Sequence, residues 1–398
     1  MYSLKEVYKI GRGPSSSHSM GPEFASRDFV KRYPAAARYC ATLYGSLALT
    51  GKGHLTDEAI LSGFGDRKAE VVFDFNKTDL PHPNTMTFAA YNEADEKIGE
   101  VTYLSIGGGN IVVAGAKRED KNIYPFHNFS EWKAYCNEKK ISLSEAVYQN
   151  EPDVRAYLEK VWCAMQEAVC RGMQAEGVLP GKLKVARKAK ALSVPIPNEQ
   201  PEQTEKRKIS CYAFAVAEEN AGGGTIVTAP TCGACGVLPA VLNYLKEREG
   251  FSHEQIIDAL AVAGMIGNIV KTNASVSGAE AGCQAEIGTA TSMAAAAVSA
   301  LFNANPDEVE YAAEVALEHQ LGLTCDPVEG YVQIPCIERN AVAALRALDS
   351  ANLAHILFGS RRISFDLIVQ TMYETGKDIN ERYRETSGGG LATHFKSC

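Results

Sequence analysis

The chain has 398 residues, 45% of them hydrophobic and 22% charged, which suits a globular protein large enough for two domains. Its net charge of −8 argues against nucleic acid or an anionic membrane as partner, since both select for basic surface. Lys5, Glu6, Lys9 and Arg12 exclude an ordinary secretory signal, and the most apolar stretches, 259–270 and 294–302, fall short of the roughly 20 residues of a membrane span. A soluble cytoplasmic protein is expected.

Leu4–Ile10 reads as a short helix and Gly11–Gly21 as a Gly/Pro/Ser loop. Pro22 then opens a helix with Glu23 in its first turn. Glu70–Phe75, Met86–Tyr91 and Lys97–Ile106 are rich in Val, Phe, Thr and Tyr and are separated by turn residues such as Asn76, Pro81 and Asn92. That is the pattern of strands in an antiparallel sheet. Gly107–Gly109 opens no G-x-G-x-x-G helix start, so it is not a dinucleotide loop; it is expected to let the backbone pass close to another domain. From 130 to 175, Trp132, Tyr135, Val147, Tyr157, Val161 and Met165 recur at helical spacing. Gly177–Lys208, with four prolines among charged residues, reads as a connector. Ile209–Cys398 is rich in Ala and Gly, which permit close helix packing, and is almost free of strand signals. The expected fold class is α+β. An N-terminal α/β domain with an antiparallel sheet spans 1–155, a connecting helix and linker 156–208, and an all-α domain 209–398.

Eleven cysteines is a high and odd count, and disulfides are disfavoured in a reducing compartment, so some thiols should serve metal binding or catalysis. Cys40, Cys136, Cys163, Cys170 and Cys211 lie in helical periodicity and read as small core residues. The other six sit where the backbone bends or ends. Cys232 and Cys235 form a C-x-x-C turn, which suits zinc or a redox dithiol, although no second closely spaced Cys or His pair accompanies it. Cys283, Cys325 and Cys336 are widely spaced, unlike the compact ferredoxin run. Three thiolates from separate loops would leave one iron of a [4Fe–4S] cluster without a protein thiolate. Cys398 is the last residue.

Several long motifs occur in order. They are Gly13-Pro-Ser-Ser-Ser-His-Ser-Met-Gly-Pro22, Thr228-Ala-Pro-Thr231, Gly278-Ala-Glu-Ala-Gly-Cys-Gln-Ala-Glu-Ile-Gly288, Leu321-Gly-Leu-Thr-Cys-Asp-Pro-Val-Glu-Gly330 and Ile334-Pro-Cys-Ile-Glu-Arg-Asn340. Together they resemble the bacterial iron–sulfur L-serine dehydratases of single-chain type, from about residue 1 to the final cysteine. The resemblance implies a [4Fe–4S] cluster held by Cys283, Cys325 and Cys336, with Cys398 folding back onto the fourth iron until substrate displaces it. It also implies a catalytic role for the all-α domain and a homodimer. Many members carry Asn where this chain has Cys232, which leaves that side chain's role in holding substrate open.

Serine dehydration removes an unacidic α-proton and expels hydroxide, a poor leaving group. No lysine motif of the pyridoxal phosphate enzymes is present, so another electrophile is needed, and an open cluster iron is one. His18, His54 and Lys271 are the expected catalytic residues: His54 is a candidate base or substrate ligand, with helix capping as the alternative, and Lys271 is expected to line the same pocket. Ser15, Ser16, Ser17 and Ser19 could cradle the substrate carboxylate, or simply cap a turn; Thr231 and Asn273 are further candidates for the substrate pocket. Water elimination from L-serine, giving pyruvate and ammonia through aminoacrylate, is the expected reaction. The rivals are elimination on L-threonine or L-cysteine, and a non-catalytic iron–sulfur sensor.

Overall fold

The structure, a computed structural model, describes residues 1–116 and 122–395. The chain divides into two compact units, one of Gly11–Glu119 and one of Met1–Ile10 with Asp120–Cys398. This division differs from the 1–155, 156–208 and 209–398 blocks read from sequence, and burial explains why. Leu4, Val7 and Tyr8 are fully buried in the core of the helical unit, where the Tyr8 hydroxyl donates to Leu260 O at 2.9 Å. Trp132, Val161, Trp162 and Met165 belong to that same core, so the helices from 129 to 174 go with it.

Ile10–Arg12 (β1) crosses the division. The helix expected over Leu4–Ile10 is only a 3-10 turn, Leu4–Glu6, capped by Ser3. Beyond it the backbone is committed elsewhere: Lys9 N donates to Thr228 Oγ1 at 2.8 Å, and Thr228 N donates to Lys9 O at 2.9 Å.

The smaller unit carries a five-stranded sheet. Its strands are β2 (Arg38–Leu43), β3 (Ala69–Phe73), β4 (Thr85–Tyr91), β5 (Lys97–Ser105) and β6 (Ile111–Val113), in the order β3-β2-β4-β5-β6. The fold class is α+β as expected, with one departure. β2 and β3 are parallel, joined through the helices Gly45–Thr50 and Thr56–Phe64, the crossover that parallel strands require. β2 alternates strictly, burying Tyr39, Ala41 and Leu43 while Cys40 faces away. Cys40 is therefore a strand residue, not a helical one. Phe29 of the Gly21–Arg32 helix packs edge-on against Tyr39, Phe88 and Tyr103 at centroid distances of 6.0, 5.7 and 6.5 Å. Gly107, Gly108 and Gly109 all have positive φ and form the β5–β6 turn, so they serve the sheet itself.

Among its described residues the larger unit is helical apart from the short β7 (Thr225–Val227) and the first residue of β1. Small residues let its helices touch backbone to backbone. A Cβ on Gly172, in the Val154–Gln174 helix, would stand 2.1 Å from Ala215 O of the Pro201–Ala221 helix. One on Gly267 would stand 2.8 Å from Met293 Sδ, so a side chain of the Thr289–Leu301 helix lies over this glycine of the His253–Asn273 helix. The His253–Asn273 helix is long and apolar enough by length and composition to cross a membrane, contrary to the sequence expectation, but most of its apolar window is buried among its neighbours. Its start is fixed by a Ser252–Gln255 capping box, a device worth about 1 kcal/mol.

The 177–208 connector is less free than its composition implies. A helix already begins at Pro201, and Arg207 holds both oxygens of Glu199 at 2.5 and 2.9 Å and Leu192 O at 2.8 Å. Cys136 and Cys211 are buried as expected, whereas Cys163 and Cys170 are exposed. The apolar stripe of their helix runs through Leu158, Val161, Trp162, Met165 and Val169, and the two cysteines fall on the opposite face.

Candidate active site

In the helical unit, three loops and a helix start carry the thiols. Cys283 lies between the short helix Gly278–Ala281 and a π-helical turn, Gln284–Gly288, that runs into Thr289–Leu301. Such turns recur at functional sites. Gln284 pins this segment: its Nε2 donates to Met372 O at 3.0 Å, its Oε1 accepts from Gly322 N at 2.8 Å, and its own N donates to Leu323 O at 3.1 Å. Cys325 is held by backbone bonds, donating to Tyr383 O and accepting from Glu385 N, both at 2.8 Å. Cys336 is the first residue of the Cys336–Ile356 helix. Asn340, one turn on, donates to Cys336 O and Gly233 O and accepts from Gly236 N, which ties the Cys232–Cys235 turn to the same helix.

Cys283 Sγ, Cys325 Sγ and a carboxylate oxygen of Glu286 all lie within 4.8 Å of one another, a donor set that can hold a metal. The Cys325 thiol is pushed well up, first by its hydrogen bond with Cys283 and then by burial. Burial also raises Cys336, as does the charge of Cys283, while Arg339 opposes them. Arg339 hydrogen-bonds Cys283 and donates to Thr324 O at 2.7 Å and to Asp326 at 3.3 Å. Glu286 accepts from the Thr231 hydroxyl at 2.6 Å. Burial drives its carboxyl up, against that hydrogen bond and the charge of Arg339. Glu385 is pushed up to about 8 by burial and by the charge of Glu286. Although they lie deep, Glu286, Cys336 and Glu385 keep accessible surface, as groups lining a recess do.

The other predicted residues are placed as follows. Thr231 joins the thiol site. Lys271 Nζ donates to Glu6 O at 2.6 Å, with the Glu6 carboxylate at 3.9 Å, and Asn273 Nδ2 donates to His127 O and Ile269 O. Cys232 and Cys235 are buried, burial raises both thiols, and among the described residues they, like Cys336, belong to no three-donor group. Cys398 lies outside the described residues.

In the sheet-bearing unit, the Ser-rich segment is a π-helical turn, Ser16–Met20, capped by Ser15, whose Oγ accepts from His18 N at 3.1 Å. Ser16 is buried at the start of that turn. Ser19 Oγ donates to His54 O at 2.7 Å and accepts from Ser15 N, so the hydroxyls of Ser15 and Ser19 are spent on the turn and on its tie to the His54 loop. The His18 ring nitrogens meet Ser17 Oγ at 2.9 Å and Ser46 Oγ at 3.0 Å. The rings of His18 and His54 are 4.6 Å apart. His54 Nδ1 faces Thr50 O at 3.1 Å, so it carries the proton and Nε2 presents its lone pair.

A family model for the serine dehydratase alpha chain matches residues 86–392, and one for the beta chain matches residues 3–72. L-serine dehydratase 1 of Escherichia coli K12 is 43% identical over 98% of this chain and 99% of its own length. The L-serine dehydratases of Haemophilus influenzae and Streptomyces coelicolor are 40% and 39% identical over 98% and 100% of this chain, and each is covered to 99%. The chain belongs to the serine dehydratase family.

Sequence reading of this serine dehydratase chain missed Glu286, Glu385, Arg339 and Asp326. Glu286, Asp326 and Arg339 lie inside the motifs that carry the cysteines, and that proximity was the one available signal. The buried histidines of the smaller unit predict a pH dependence for this family member. Burial lowers His54 from 6.5 to about 4, and lowers His18 well below its ordinary value, helped by the charge of His54. Between those limits the unfolded chain binds more protons than the fold, so stability rises with pH. The His54 contribution, on the order of 3 kcal/mol, is complete above about pH 6.5 and lost as pH falls toward 4. Urea midpoints at pH 7.5 and pH 5 measure it. The midpoint should fall at pH 5, and fall less in His54→Gln; an equal fall in both proteins contradicts the assignment.

Proposed function

We propose that the chain eliminates water from L-serine to give pyruvate and ammonia, with a [4Fe–4S] cluster held by Cys283, Cys325 and Cys336 as its electrophile. The observation that carries the reading is the approach of Cys283, Cys325 and Glu286 to within 4.8 Å of one another, in a chain matched along nearly its whole length by L-serine dehydratases. The residues present fit such a group. The donors are soft thiols, they come from three separate segments, and a Cβ on Gly278 would stand 3.1 Å from Cys325 Sγ, so the backbone there leaves room beside the sulfur. When bound, the cluster supplies a Lewis-acidic iron that favours negative charge on the substrate's oxygens.

The protein's own groups do the rest. Arg339, hydrogen-bonded to Cys283, offsets the charge that accumulates when buried thiols ionise. His54, neutral and with Nε2 presented, takes the α-proton, and His18 stands beside it, held by Ser17 and Ser46. As the α-proton moves to His54, the Cα–Cβ double bond forms and the Cβ–O bond breaks, and the departing hydroxide takes a proton back from the His54 imidazolium and leaves as water. The aminoacrylate released tautomerises to an imine, and water converts it to pyruvate and ammonia.

Pyruvate formation by anaerobically purified protein tests this reading. L-serine should show a kcat/KM at least about tenfold above that for L-threonine, the size of discrimination one methyl group allows. The 2-oxo acid formed from L-threonine or L-cysteine as the faster product would move the assignment to those substrates. Iron-loaded protein that turns over none of the three would make it a sensor.

A further inference from the structure

We propose that Glu286 receives the ammonium group of the substrate and thereby selects amino acids over the corresponding hydroxy acids. The inference rests on the serine reading above and names the residue that reads the one part of the substrate left unassigned. A cluster held by the thiols would attract oxygen donors, which in serine are the carboxylate and the hydroxyl. The ammonium, on the carbon between the two, then needs an acceptor bordering the thiols.

Glu286 is placed for that. Its carboxylate lies within 4.8 Å of the sulfurs of both Cys283 and Cys325, and it is reachable from outside although it lies deep. One oxygen is fixed by the Thr231 hydroxyl at 2.6 Å. The other is 4.0 Å from Cys325 Sγ, too long for a strong bond, which leaves acceptor sites open. Two glycines frame the carboxylate: a Cβ on Gly278 would stand 2.5 Å from Oε2, and one on Gly233 would stand 3.3 Å from Oε1. Arg339 reaches it by charge, but its hydrogen bonds go to Thr324 O, Asp326 and Cys283. A three-donor ammonium completes the arrangement.

The test compares the anaerobic iron-loaded protein with Glu286→Gln, a near-isosteric change, and with Thr231→Val, which removes only the hydrogen bond that aims Glu286. Iron content, kcat and KM for L-serine, and inhibition by L-glycerate, serine's hydroxy-acid analogue, are read for each. Glu286→Gln should keep its iron and raise KM on the order of 10²-fold with a much smaller change in kcat. Inhibition by glycerate should hold or strengthen. Thr231→Val should shift KM in the same direction by less. Loss of iron would make Glu286 a ligand, a fall in kcat at constant KM would make it a base, and equal weakening of serine and glycerate would make it a general support; each overturns the proposal. A parent protein without serine turnover would reject the reaction itself. Turnover by the parent with an unchanged KM in Glu286→Gln rejects this inference alone.

Discussion

Cys325→Ser should purify without its iron and lose serine turnover by more than about 10³-fold, while melting as a folded protein. Cys325 is buried, and its backbone is tied to Tyr383 and Glu385, so a side chain of nearly the same size leaves the loop in place. What changes is the donor. A hydroxyl is hard and ionises poorly, and it cannot replace a soft thiolate toward iron. The same loss is expected for Cys283→Ser, beside Arg339, and for Cys336→Ser at its helix start. Cys163→Ser, on an exposed face, should change neither iron content nor rate. Iron per chain, set beside a thermal melt, separates loss of the cofactor from loss of the fold. Retention of iron and rate in any of the first three would remove that thiol from the ligand set.

His54→Gln should lower kcat for L-serine by about 10²- to 10⁴-fold, the range for a positioned general base, with iron content unchanged. The imidazole is suited to the role because Thr50 O fixes its tautomer: Nδ1 must donate there, and Nε2 keeps the lone pair that a base needs. No hydrogen-bond partner for Nε2 is found among the described residues. Glutamine keeps the polarity and approximate size but abstracts no proton. A kcat within about threefold of the parent would return His54 to a purely structural part in the loop that Ser19 already ties to it. Serine deuterated at Cα sharpens the comparison, since a slower proton abstraction enlarges the isotope effect on kcat.

The sequence carried the thiols plainly and their surroundings poorly. Cys283, Cys325 and Cys336 stood out because each sits where Gly or Pro bends the chain, which distinguishes them from cysteines on helix faces. Even so, Cys163 and Cys170 passed for core residues: seven-residue spacing says that two residues share a face, not which face is inside. Glu286 and Arg339 were printed beside the cysteines, but carboxylates and guanidinium groups are common. Only the fold shows Glu286 turned toward two sulfurs and Arg339 toward Cys283. The class of the fold was legible from strand alternation followed by Ala- and Gly-rich helices. β2 was lost because six residues of alternation carry little signal until the neighbouring strands β3 and β4 supply the other half of the pattern. The capture of Met1–Ile10 by the helical unit had no local signal at all, since it depends on tertiary burial of Leu4, Val7 and Tyr8.

Iron and acid-labile sulfide, counted per chain in protein purified without air and set against its serine turnover, test the central claim most directly. Convergence of three cysteines on a cube of iron and sulfur calls for about four of each, with turnover rising in proportion to the count. Full turnover from protein stripped of both elements would contradict it.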